Sequence, residues 1–210
     1  MSNTWRRGLW TVVFLVAAAL ASTRFVRVIN LAFSHFLVPL GRTWPWLNGV
    51  WVAGGVPLSL LAVLWASRAR SRGQRLRLLG LFVAGGIIEL LAKHWIATPW
   101  PVPVAAPAPY AVIARYTNIE PSAVMAVVGP WLGARRPTAS ASFLRGSFPS
   151  GHVLRLTFAI GVWLGPGRWG WTTALAAVAA VAVVATGGHW FWDTLGGWSL
   201  AQALLVLGHG

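Results

Sequence analysis

The chain of 210 residues has no cysteine, two tyrosines and three acidic residues, and Lys93 is the one lysine among 17 basic residues. Without cysteine, neither a disulfide framework nor a thiolate metal site can form. Three carboxylates spread along the chain offer no cluster for magnesium, and five scattered histidines make no convincing zinc set. Charged residues of both signs amount to 10%, against roughly a quarter in soluble domains, which excludes an ordinary soluble composition.

What is present points to a bilayer. The chain is 57% hydrophobic with a mean hydropathy of +0.66. Its 15 tryptophans suit interfacial belts, where the ring is apolar and the N–H stays wet. The formal charge of +14 does not argue for nucleic acid, because the arginines flank apolar stretches and do not line one basic face. Anionic lipid headgroups and phosphate substrates account for them more simply.

A bilayer core needs roughly 20 apolar residues of helix. Six segments meet or approach that length, at about 8–23, 47–67, 75–97, 150–166, 168–187 and 192–208, and most are rich in small residues that permit close helix packing. Arg68, Arg70, Arg72, Arg75 and Arg77 crowd the link between the second and third, which is therefore expected on the cytoplasmic side. Arg6, Arg7 and Arg168 fall on the same side by parity. The expected architecture is all-α: a polytopic six-transmembrane-helix bundle in a single domain, 1–210, with both termini inside. Residues 24–46, with Arg24, Arg27, His35 and Arg42 among apolar neighbours, read as an interfacial helix and loop. Residues 98–148 carry Pro99, Pro101, Pro103, Pro107 and Pro109, too many for a continuous helix, and read as an outer loop with a short amphipathic helix around 121–134. The start of the chain has a second reading. Arg6-Arg7, an apolar run and Ala19-Leu20-Ala21 also fit a cleavable signal peptide, although six helices enclose a site better than five and favour a retained anchor.

Two polar islands interrupt the apolar sequence: Phe148-Pro149-Ser150-Gly151-His152 and His189-Trp190-Phe191-Trp192-Asp193. The topology puts both on the outer face with Lys93. On a helix, His189 and Asp193 are one turn apart, so the carboxylate can hold one ring nitrogen and leave the other to attack. Read alone, Asp193 also fits a helix N-cap beside an incidental histidine. Pro149-Ser150-Gly151 suits the start of a helix whose exposed N–H groups cradle phosphate, with a Ser150 hydroxyl beside them, or simply a capped membrane helix. His152, once protonated, could donate to a leaving-group oxygen. Lys93 closes the third expected span, where a cation complements the helix dipole or snorkels. Glu89, four residues earlier, either holds Lys93, meets Arg155 across the bundle, or is neutral.

Lys93-x6-Trp100-Pro101, Pro149-Ser150-Gly151-His152 and His189-x3-Asp193 resemble the three signatures of the type-2 phosphatidic acid phosphatase, or lipid phosphate phosphatase, superfamily. The resemblance spans about residues 75–208. It implies that His189 is a nucleophile forming a phosphohistidine, that Asp193 orients it, and that His152 protonates the leaving lipid oxygen. Lys93, Ser150 and Gly151 would bind the phosphoryl oxygens, and neither metal nor cofactor would be needed. Two family arginines are missing: Trp100 stands in the first signature, and Ala182-Val183 replaces the Ser-Arg of the third.

Substitutes for them are sought in Arg155, inside an apolar span three residues after His152, in Arg145, and in Arg135-Arg136. An unpaired charge at the centre of a span costs about 2.5 kcal/mol or more, so Arg155 is expected to have a partner or an aqueous cavity. His35 and His209 have no polar company in the sequence. Tyr110, Arg115, Tyr116 and Asn118 could touch a headgroup, without a spacing that requires it. The expected activity is hydrolysis of a lipid phosphate or diphosphate, of phosphatidic acid or isoprenyl-diphosphate type, at the outer face of a bacterial plasma membrane. A lipid phosphotransferase using the same histidine, or a non-catalytic lipid-phosphate binder, are the alternatives.

Overall fold

The computed structural model describes residues 3–99, 101 and 146–209. Among these every regular element is helical. Eight α-helices follow in order: α1 (Asn3–Leu20), α2 (Arg24–Thr43), α3 (Gly49–Gly54), α4 (Val56–Ala66), α5 (Arg72–Trp95), α6 (Gly151–Leu164), α7 (Trp169–Ala185) and α8 (Phe191–His209), with 3₁₀ turns at Pro45–Asn48 and Pro166–Arg168. The expected helix at 121–134 lies outside the described residues, as do Trp100, Arg135, Arg136, Arg145, Tyr110, Arg115, Tyr116 and Asn118.

Local chemistry explains most boundaries. Ser71 and Ser150 cap α5 and α6, accepting from the N–H groups of Gln74 and Val153. Gly165 and Gly187, at φ +78° and +73°, take the left-handed conformation that lets the chain leave α6 and α7. The expected continuous span at 47–67 is instead broken into a 3₁₀ turn, α3 and α4. The break falls at Gly54-Gly55 with Pro57 in the first turn of α4, which removes a backbone donor and favours a new helix start. The other expected spans correspond to α1, α5, α6, α7 and α8.

Residues 24–46, expected as a helix and loop, form α2 over Arg24–Thr43 followed by the turn at Trp44. Thr23 caps α2 by accepting from Val26 N–H, and α2 turns 99° away from α1. That near-right angle is the attitude of an interfacial helix if α1 crosses a bilayer. By length and composition, Pro166–Ala185 can span alone, and the bent pair α1–α2 passes the same test jointly. The shorter α4 and α6 are also apolar.

The core joins α4, α5, α6 and α8 through Val63, Leu78, Phe82, Leu154, Phe158, Leu204 and Leu205. Close packing depends on missing side chains: a Cβ on Gly161 would run into Leu205, and one on Gly197 into the Ser150 carbonyl. The outside is apolar too. Val12, Leu15, Leu61, Val83, Ile87, Leu91 and Val178 are exposed, far more grease than a water-facing surface carries. Exposed Trp5, Trp65, Trp95, Trp163 and Trp171 lie near helix ends, as interfacial tryptophans do. At one end of the bundle Arg70 donates to the Val162 carbonyl in the last turn of α6 (2.8 Å). The two polar islands sit at the other end, where α5 finishes and α6 and α8 begin.

Candidate active site

Three sets of hydrogen bonds assemble this end. Ser150 N–H donates to the Asp193 carbonyl (2.8 Å), fixing the start of α6 on the start of α8. Gly146 N–H donates to the Lys93 carbonyl (2.9 Å). Thr98 Oγ1 accepts from the N–H groups of Ser147 and Phe148, both at 3.0 Å. The end of α5 is thereby tied to the segment carrying Pro149-Ser150-Gly151-His152. Lys93, Ser150, Gly151, His152, Arg155, His189 and Asp193 are all brought to one region of the fold.

The histidine–aspartate pair forms as the spacing required. His189 Nδ1 lies 3.2 Å from Asp193 Oδ2, and the same oxygen accepts from Trp190 N–H at 3.1 Å. Both side chains are buried. Burial pulls the imidazole below its usual pKa, while the hydrogen bond and charge of Asp193 oppose the shift. His152 faces the pair with ring centroids 6.3 Å apart. Trp51 was not singled out from the sequence, yet its indole lies edge-on to His152 at 4.1 Å and stacks with His189 at 5.9 Å. Its Nε1 donates to Thr186 Oγ1 (2.9 Å). One tryptophan among fifteen carries no mark of this role. The visible signal was Gly188, since a Cβ there would run into the Trp51 ring.

A second cluster lies beside the first. Glu89 Oε1 accepts from Lys93 Nζ at 2.6 Å, and Oε2 from Arg155 Nη1 at 2.8 Å. Arg155 Nε also donates to the Gly54 carbonyl at 2.8 Å. All three ionic side chains are at most 12% exposed. A Cβ on Gly151 would collide with the Glu89 carboxylate, so the carboxylate rests against the first turn of α6. Both charged readings of Glu89 therefore hold together: it grips Lys93 and meets Arg155. Lys93, Gly151 and Arg155, the groups assigned to a phosphate from sequence, surround a carboxylate of the protein itself. Val183, standing where the resembling family has arginine, is wholly buried. Arg145 lies outside the described residues. Among the described residues no group of three or more His, Asp or Glu side chains is placed to hold a metal ion.

Among the described residues the protein is a helical bundle with a His–Asp pair and a second histidine at one end. Its structure is similar to the crystal structure of a transmembrane PAP2-type phosphatidylglycerolphosphate phosphatase from Bacillus subtilis, with a TM-score of 0.62. The two are 20% identical, over 97% of this chain and 94% of that one. The likeness establishes the shared fold. No protein-family model matches the chain, and no curated protein does.

Proposed function

We propose that the chain is a single-domain integral membrane phosphatase that hydrolyses a lipid phosphate or diphosphate through a phosphohistidine. The observation that carries this reading is the buried His189–Asp193 pair facing His152 beside a cationic pair. In the first step His189 Nε2 forms a bond to phosphorus as the bond to the lipid oxygen breaks. His152, protonated, gives its proton to that oxygen, and the lipid alcohol leaves. Water then attacks the phosphorus and gives a proton to the now neutral His152, the P–N bond breaks, and orthophosphate departs with His189 neutral and His152 protonated again. Asp193 stabilises the imidazolium between the steps.

Lys93, the Ser150 hydroxyl, the Gly151 N–H and Arg155 would hold the phosphoryl oxygens in both steps. The incoming phosphate then shares these donors with Glu89. The apolar cavity of about 140 Å³ lined by Phe33, Leu37, Phe191 and Trp198 would take part of the lipid chain. In a bacterial plasma membrane with the arginine-rich α4–α5 link inside, this site opens outward. Purified protein with chelator, given phosphatidic acid, an isoprenyl diphosphate and a lysolipid phosphate, should release orthophosphate from at least one. His189→Ala should abolish that release. Silence of the wild type toward every lipid would overturn the reading, as would turnover that survives His189→Ala.

The buried apolar Val183 in place of a clamping arginine favours a second reading, in which a lipid alcohol in place of water takes the phosphoryl group. Transfer of label from phosphatidic acid to an added lipid alcohol, in preference to water, would distinguish it.

A further inference from the structure

His189 has Asp193 to balance a positive charge, but among the described residues no carboxylate is paired with His152. Glu89 is committed to Lys93 and Arg155, and Asp193 Oδ2 to His189 and the Trp190 N–H. The charged or titratable groups that act on His152 are Arg155 on its own helix, Lys93 on α5 and His189 on α8, so two of the three are cations. What His152 does touch is Trp51, with 4.1 Å between ring centroids and 67° between ring planes.

Trp51 is held for that contact from three sides. The end of α3 packs on the first turn of α6, where a Cβ on Gly54 would press against His152. Trp51 Nε1 donates to Thr186 Oγ1 at 2.9 Å, and that hydroxyl donates to the Val183 carbonyl at 2.8 Å, which ties the indole to the end of α7. Gly188, without a Cβ, leaves room for the ring. The same indole lies 14° from parallel with His189, at 5.9 Å. One aromatic ring thus adjoins both imidazoles, each within the roughly 6 Å over which an aromatic face attracts a cation.

In the phosphatase reading a positive charge travels between these two imidazoles, and His152 carries it first. The bond from phosphorus to the lipid oxygen breaks as the P–Nε2 bond forms. The proton passes from His152 to that oxygen, and His189 becomes a phosphorylated, cationic imidazolium. When water attacks and the P–N bond breaks, the proton from water restores the charge to His152. One of the two rings is cationic at every stage.

We propose that Trp51 is a positioning residue whose indole seats this charge on either histidine. The electron-rich ring stands in for the carboxylate that His152 lacks, and it stays in contact with the charge when the charge moves to His189. It acts through the histidines and not on the lipid. This role rests on the phosphatase reading.

The test replaces Trp51 alone, in the full chain in detergent micelles, by its mono-, di-, tri- and tetrafluoro analogues. Fluorine withdraws electron density from the indole face while nearly preserving its shape, so a packing role would not respond. Release of orthophosphate from the lipid phosphates above is followed against pH. The kcat/KM should fall stepwise with each fluorine, to about a tenth in the tetrafluoro form. The alkaline limb of the profile, where the acid loses its proton, should move down by up to about one pH unit. Tetrafluorotryptophan at the exposed Trp163, in the last turn of α6, should change neither. Trp51→Phe, which keeps an aromatic face, should retain more activity than Trp51→Leu, with thermal unfolding to verify that both are folded. A tetrafluoro profile that overlays the wild type, or Trp51→Leu as active as Trp51→Phe, would overturn the charge seat and leave the phosphatase reading standing. Wild-type silence toward every lipid phosphate would overturn that reading, and the seat with it.

Discussion

Replacing Glu89 by Gln removes the one carboxylate that Lys93 and Arg155 share. The two cations hold opposite oxygens of it, at 2.6 and 2.8 Å, and none of the three side chains is more than 12% exposed. Glutamine keeps the shape and can still accept on one oxygen, but its amide nitrogen presents donors to a donor. Breaking a buried ion pair by neutralising one partner costs about 3–5 kcal/mol, because the remaining charge is left uncompensated. Here two like charges are left together. For a chain of this length each kcal/mol moves the unfolding midpoint by about 2–4 °C, so Glu89→Gln should lower Tm by roughly 6–20 °C. Tryptophan fluorescence in detergent micelles reads the transition. A second readout separates electrostatics from packing. Orthophosphate can replace the missing anion against Gly151, so it should raise the Tm of Glu89→Gln more than that of the wild type. Glu89→Asp, which keeps the charge, should show neither effect at full size. A Glu89→Gln midpoint within about 2 °C of wild type, with no added response to orthophosphate, would refute the claim that this carboxylate neutralises the site.

Gly188→Ala should leave the helices intact but displace Trp51 from the two histidines, because the new methyl group meets the indole ring; a loss of phosphate release by about tenfold or more with near-wild-type Tm is expected. Gly80→Ala, in α5 with open space around its Cα, should instead raise stability by about 0.5–1 kcal/mol, read as a higher Tm. Asp193→Asn removes the charge that supports the imidazolium, and should cut phosphate release by several orders of magnitude without changing lipid binding, as the two assays run side by side would show. Burial holds the His189 pKa below its unfolded value of 6.5, so as the pH falls the unfolded chain takes up this proton first. Its contribution to stability is therefore present above pH 6.5 and lost as the pH falls below it. Thermal unfolding between about pH 7.5 and 5.5 should show a smaller loss in His189→Gln than in the wild type; equal slopes would remove His189 as the cause.

Much of the fold was legible because it follows from local rules. Apolar runs of helical length marked α5, α6 and α7 closely, and Pro149-Ser150-Gly151 marked the start of α6. The unbroken span at 47–67 was misread, since hydropathy does not register the backbone freedom of Gly54-Gly55 or the donor lost at Pro57. The helix within 24–46 was legible, but its arginines and histidine did not say how far it runs. Within the site, His189 and Asp193 were readable from i, i+4 spacing alone. Trp51 and Thr98 were not, because each acts on partners more than forty residues away.

The sequence by itself determined the chemistry available: two histidines, one aspartate to orient one of them, a single lysine, and helices greasy enough for a bilayer. It also limited the carboxylates to three, so that any acid in a span had to matter. Only the tertiary structure decided where those charges go. Spacing places residues on one face of one helix, but whether Arg155 reaches Glu89 depends on how α5 and α6 cross, and that is set by packing between distant segments. The same packing bends α2 back at 99° and brings Arg24 and Arg27 beside Trp190, a meeting that no local pattern encodes.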